Sequence, residues 1–294
     1  MIARCPDCLL KTRDTAVVTY GVAGGVTDGV PVGLFQTPVT SLGGAVRYTQ
    51  LPAGKGVLDD LPKIKAANAR VSINLTGGGA CTLDATGQFQ YALWEACHDA
   101  AALPYRDRIT AYTDSGTIND NYILDEPNHP SRWGPRGVTQ QQIEQMCAHS
   151  KALFPRLPCA VRAAPSWLRQ APITYVALDG AWAQYRYGRG PIEEYVREHA
   201  EGARVLGLWL GLALNVLDGG DGSSGIIRSR TAGGAPLYEM TGAEVIRYGV
   251  VMLAARPCVM GGFRHDETWL NRPGTRSALD SLARLGASQP RDCA

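Results

Sequence analysis

From residue 57 onward, segments in which apolar residues recur at helical spacing alternate with short β-branched and leucine-rich runs, separated by Gly, Pro or Asn. That rhythm predicts repeated βα units and a parallel sheet. The strand-like runs fall at 30–36, 71–76, 121–125, 159–163, 174–178, 207–217 and 258–263, with an eighth at either 16–20 or 45–49. The helix-like stretches fall at 58–69, 88–103, 139–154, 191–206, 241–254 and 273–286. Thr139 suits an N-cap, and Pro191 and Pro273 suit a first helical turn.

Two of the strands separate a barrel from a flat sheet. Along 207–218, Leu208, Leu210, Leu212, Leu214 and Val216 share one face, while Gly207, Trp209, Gly211, Ala213 and Asn215 share the other. Residues 71–76 split in the same way, with Val71, Ile73 and Leu75 opposite Ser72, Asn74 and Thr76. A parallel strand covered by helices on both sides should be apolar on both. A barrel strand faces helices outside and a confined interior inside, which turns polar toward the C-terminal mouth. The expected fold is therefore α/β, a single (β/α)8 TIM-type barrel over 30–294 preceded by an N-terminal extension at 1–29. The polar faces at 72–76 and 211–215 should point into one lumen. A doubly wound dinucleotide-binding sheet is disfavoured, because no strand is followed by GxGxxG.

Composition narrows the functional classes. With 45% hydrophobic and 19% charged residues the chain can bury a large core, and its net charge of +2 lacks the basic excess of a nucleic-acid binder. The longest apolar run, 205–217, is too short to cross a bilayer, and residues 1–18 lack the apolar core of a signal peptide. Neither a nucleic-acid nor a membrane partner is expected. Cys5 and Cys8 form a lone CxxC without the further ligands a zinc site needs. The local couples Cys81/Cys97 and Cys147/Cys159 would close as disulfides in an oxidising compartment, which favours a secreted or periplasmic location; free thiols in a cytosolic protein are the other reading.

Chemistry in such a barrel sits where its strands end. Those positions hold Gln36, Asn74 with Thr76, Asp125 with Glu126, Arg162, Asp179, Asn215 with Asp218, and the run Arg264 to Glu267. The segment Tyr122-Ile-Leu-Asp125-Glu126-Pro127 resembles the strand-ending Asn/Asp-Glu-Pro motif of glycoside hydrolases with (β/α)8 barrels. The resemblance implies that Glu126 is the general acid/base ending the fourth strand. If two strands precede Val71, it places Asp218 at the partner position after the seventh. Two departures from the family pattern stand out: Asp125 replaces the usual Asn, and the partner is Asp rather than Glu. Glycoside cleavage needs one carboxyl to protonate the leaving oxygen and a second, ionised, to attack or to activate water. Asp179 is a substitute partner, and Asp266 or Glu267 a weaker one.

Sugar rings present apolar faces, so a glycosidase cleft is expected to carry aromatics. Trp133, Trp167, Trp182 and Trp269 follow strand ends, and the run 179–185 combines acid, aromatic and amide in one stretch. The expected substrate-binding set is Asn74, Asp125, Arg162, Asp179, Trp182, Tyr185 and Asn215, acting on a carbohydrate with no cofactor and no metal. Two other readings stay open. His129 near Asp125 and Glu126, with His265 near Asp266 and Glu267, could build the divalent-metal site of a barrel isomerase or aldolase. A carbohydrate-binding barrel without a working carboxylate pair is the third.

Overall fold

The computed structural model describes residues 29–52, 55–76 and 79–293. The N-terminal extension, the strand candidate at 16–20 and the CxxC lie outside them. Six strands follow in order, β1 (Tyr48–Pro52), β2 (Arg70–Asn74), β3 (Ile118–Asp125), β4 (Cys159–Arg162), β5 (Gly180–Tyr185) and β6 (Trp209–Leu214). A separate antiparallel hairpin, β7 (Ile227–Arg230) and β8 (Pro236–Tyr238), precedes β9 (Val259–Gly262). β1 to β6 and β9 form one wholly parallel sheet.

Segment 30–35 closes that sheet into a ring. Val32 bridges Met260 of β9 and Gly33 bridges Tyr48 of β1, both in parallel. The Gly33 N–H donates to the Met260 carbonyl and the Arg47 N–H to that of Val32, each at 3.1 Å. Counting this segment first, β3 is the fourth strand and β6 the seventh, the numbering that the carboxylate assignment presupposed. The fold is a TIM-type barrel.

The helices α1 (Lys55–Ala66), α2 (Tyr91–Ala102), α3 (Arg106–Asp114), α4 (Pro130–Trp133), α5 (Gln140–Leu153), α6 (Pro165–Leu168), α7 (Ile192–Leu206), α8 (Gly242–Ala254), α9 (Glu267–Leu270) and α10 (Thr275–Ser288) connect the strands. Thr139 and Thr241 cap α5 and α8 through reciprocal bonds with Gln142 and Glu244, which satisfy two otherwise orphaned donors at each helix start.

The split faces behave as their alternation demands. Leu210, Leu212, Leu214 and Val216 pack outward against Val245, Met252 and Leu282, and Val71, Ile73 and Leu75 against Leu61, Ile64 and Ile109. The other faces meet in the lumen, where Phe35, Tyr48, Trp182, Trp209 and Ala213 form one cluster. Glycines make room for these rings. A Cβ on Gly180 would lie 2.1 Å from the Trp209 ring, and one on Gly211 would lie 2.6 Å from that of Trp182.

One strand is displaced from its expected place. Residues 174–178 alternate as a strand should, yet three consecutive N–H groups there, from Val176 to Leu178, donate to the single carboxylate of Glu144. The strand is instead Gly180–Tyr185, whose glycine and alanines have low strand propensity, but whose Gly180 leaves the space that the Trp209 ring fills.

Cys81/Cys97 and Cys147/Cys159 lie at disulfide distance, as does a third pair, Cys258/Cys293, which a separation of 35 residues hid from local pairing. Together with the lack, among the described residues, of any helix long and apolar enough to cross a membrane, these pairs are compatible with an exported protein. With six of the eight cysteines paired, titration of the denatured, unreduced protein should find at most two thiols, those of Cys5 and Cys8. Eight reactive thiols would show that no bridge forms.

Candidate active site at the barrel mouth

A cleft of about 590 Å³ opens at the C-terminal end of the strands. Its floor is the upper lumen, with Phe35, Trp182 and Ala213. Its walls carry Asp125, Glu126, Arg162, Gln184 and Asn215 from strand ends, and Asn128, His129, Trp167 and Arg186 from the loops beyond them. Arg162 is the hub. Its guanidinium stacks 4.7 Å from the centroid of the Phe35 ring, lies 3.3 Å from Asp125 Oδ1 and reaches Gln184 Oε1 at 3.5 Å.

The strand-ending motif turns sharply here. Glu126 has φ of 49°, in the left-handed region, so Asp125 and Glu126, which an extended strand would send to opposite faces, both line the cleft. The turn is braced from below by Trp133, whose Nε1–H donates to the carbonyls of Asp125 at 2.9 Å and Glu126 at 3.0 Å. Arg132 on the same short helix spans both carboxylates, pairing with Asp125 and lying 3.0 Å from Glu126 Oε2. The Glu126 side chain is 48% exposed, so it faces the solvent-filled cleft rather than an apolar pocket.

Several expected site residues stand elsewhere. Asp179 precedes β5 instead of ending a strand, which puts it at the opposite, N-terminal rim. There it accepts from Lys151 Nζ at 2.6 Å and from the Cys159 N–H at 2.8 Å. Burial pushes its carboxyl up while Lys151 and that N–H pull it down. Tyr185 points outward, packing on Tyr195 and Tyr248 with its hydroxyl on the Gly190 carbonyl. Asn74 is spent on structure, donating to the Tyr122 carbonyl at 2.8 Å and accepting from Thr76 Oγ1 at 2.7 Å. Of the four loop tryptophans, Trp167 and Trp182 line the cleft, whereas Trp133 and Trp269 are core.

Asp218 does not line the cleft. Its N–H donates to Asn215 Oδ1 at 3.1 Å, and its carboxylate accepts from Ser229 Oγ of the β7–β8 hairpin at 2.7 Å. The residue that ends the seventh strand inside the cleft is Asn215. The weaker substitutes are engaged as well, Asp266 as the cap of α9 and partner of Arg228, Glu267 with Arg276 and His265. His129 bonds Ser131 Oγ at 2.8 Å, and neither it nor His265 joins a group of three metal-type donors among the described residues.

Beneath the cleft lies a polar chain that the strand reading missed, because the expected strand began at Asn121. Tyr48 Oη donates to Ser72 Oγ at 2.8 Å and Ser72 Oγ to Asp120 Oδ2 at 2.5 Å, while Asn119 Nδ2 donates to the same oxygen at 2.7 Å. Asp120 is fully buried and its Oδ1 has no hydrogen-bond partner. Desolvation pushes its carboxyl up to about 6 against the pull of those two bonds.

No protein-family model and no curated protein matches the sequence. Solved structures are similar in fold. An endo-1,4-beta-D-mannanase from Thermotoga petrophila superposes with a TM-score of 0.56 at 9% identity, over 87% of this chain and 99% of that one. A GH10 endoxylanase from a sugarcane soil metagenome gives 0.54 at 9%, over 87% and 98%. An endo-beta-1,4-mannanase double mutant from Cellulomonas fimi gives 0.53 at 15%, over 90% and 71%. The chain thus shares the barrel fold of these enzymes.

Proposed function

We propose that the protein is a glycoside hydrolase acting on a poly- or oligosaccharide, with Glu126 as the proton donor and Asp218, once released from Ser229 and turned into the cleft, as the ionised partner. The observation that carries this reading is the position of Glu126. It ends the fourth strand of the barrel, is held in a left-handed turn by Trp133 and presents an accessible carboxylate to a cleft with tryptophan, arginine and amide walls. Trp167 and Trp182 offer apolar surface to sugar rings, and Gln184, Asn128 and Asn215 offer both donors and acceptors to hydroxyls. The mannanase and xylanase barrels named above lend the substrate class by analogy of fold.

A second reading has its own support. Asn215 stands in the cleft where a partner carboxylate would end the seventh strand, and Asp218 is bonded to Ser229 outside the lining. A barrel that binds carbohydrate without cleaving it would need no more than this. A panel of β-1,4-linked oligosaccharides, assayed in parallel for reducing-end release and for binding by calorimetry, separates the two. Release of new reducing ends that falls in both Glu126→Gln and Asp218→Asn supports hydrolysis. Binding with no release by the unaltered protein supports the second reading, and neither binding nor release would refute both.

A further inference from the structure

We propose that His98, Asp99 and His149 form a binding site for one divalent transition-metal ion, zinc before others, on the outer helical layer of the barrel. The three residues come from two packed helices, α2 and α5, and none lines the cleft. Their donor atoms all lie within 4.8 Å of one another. Asp99 Oδ1 is approached by both imidazoles, at 2.7 Å from His149 Nε2 and 3.3 Å from His98 Nδ1. Zinc bonds of about 2.0–2.1 Å at tetrahedral angles set donor atoms about 3.4 Å apart, so a pair at the 4.8 Å bound would have to close by about 1.4 Å to complete the set. Two imidazoles and one carboxylate leave a fourth position for water, and imidazole with carboxylate suits zinc, cobalt or nickel better than calcium or magnesium.

The surroundings also fit an ion. Glu95 Oε1 lies 3.0 Å from His149 Nδ1. A metal bound at Nε2 would leave Nδ1 oriented by Glu95, the carboxylate–histidine–metal arrangement that fixes tautomer and ring direction. His98 is fully buried, and its Nε2 has no hydrogen-bond partner, so no other polar group competes for this ring. Trp94 holds both rings, with centroids 5.0 Å from that of His98 and 5.9 Å from that of His149. The Cys81/Cys97 pair ties α2 to the segment before it. Glu95 is 41% exposed, which leaves a route in from solvent.

The test uses the full chain carrying Cys5→Ser and Cys8→Ser, dialysed against chelator, so that the CxxC cannot supply the signal. Zinc titrated calorimetrically should bind with a stoichiometry of one and raise the melting temperature. Cobalt(II) should give the visible absorption of a four-coordinate site. His149→Gln and Asp99→Asn, both at partly exposed positions, should each weaken zinc at least tenfold, and Glu95→Gln about 10–100-fold through loss of the orienting bond. Zinc binding that survives His149→Gln and Asp99→Asn unchanged would overturn the site. So would a melting temperature indifferent to zinc. Neither result depends on hydrolysis at the mouth.

Discussion

Glu126→Gln should lower glycosidic turnover by about 10²–10⁴, the usual contribution of general acid–base catalysis, with little change in substrate affinity. The amide keeps the volume of the carboxyl and part of its hydrogen bonding but cannot give up a proton. The turn that presents it depends on backbone and Trp133 rather than on the carboxylate, so the fold should survive. The loss should be smallest for substrates with an activated leaving group, which departs without protonation. That pattern distinguishes a missing acid from a distorted cleft, which would slow all substrates alike. Equal losses on activated and natural substrates, or near-full activity, would remove Glu126 from the role. Loss of the ion pair with Arg132 should matter little to stability, because exposed pairs contribute about 0–1 kcal/mol.

The second large effect concerns pH and stability. Asp120 binds its proton more tightly folded, at about 6, than unfolded, near the ordinary value of 3.8. Between those values the native state holds more protons than the unfolded one, so stability from this group is greatest in acid and falls as pH rises from about 4 to 6. The span amounts to about 3 kcal/mol at 1.36 kcal/mol per unit. Asp266 and Asp221 oppose it, since Arg228 and the N–H at Trp269 hold the first below its usual range and Ser223 and Arg247 hold the second down, and both lose stability in acid. Asp120→Asn isolates the buried group. Its carbonyl can still accept from Ser72 and Asn119, while nothing at that position ionises. Urea unfolding at pH 4 and pH 7 should show the variant gaining about 2.4 kcal/mol on the parent between the two, and parallel curves would show that Asp120 stays neutral or solvated throughout.

The barrel was legible because its two layers have opposite chemistry. The leucines at 208–214 and the small or polar residues between them could satisfy helices on one side only, and that asymmetry fixes the inside of a ring. Where the lumen itself dictated the residue, the pattern failed. Gly180 looks like a loop residue until Trp209 needs its space, and 174–178 looks like a strand until Glu144 takes its backbone donors. Glu126, Asp125, Arg162 and Asn215 were placed at the mouth by strand ends, and all four line the cleft; Trp182 lines it too, but from within β5 rather than from a loop after a strand. Asp179 and Tyr185 were misplaced by the same shifted strand. Asp120 was invisible because three successive polar residues, 119–121, argue against a central strand unless their partners on and just after β2 and on α5 are already known.

Closure of the ring by segment 30–35 also has a kinetic cost. Gln36 and Arg264, which meet just beyond the closing ladders, are 228 residues apart in sequence. A ribosome adding about 5–20 residues per second therefore leaves the first strand waiting tens of seconds for its last neighbour. Throughout that interval the growing sheet has two open edges with unpaired N–H and C=O groups, the template on which chains add to one another. Nascent chains halted before β9 should be the aggregating species, and yield on expression should follow the rate at which 258–293 is delivered rather than the stability of the finished barrel.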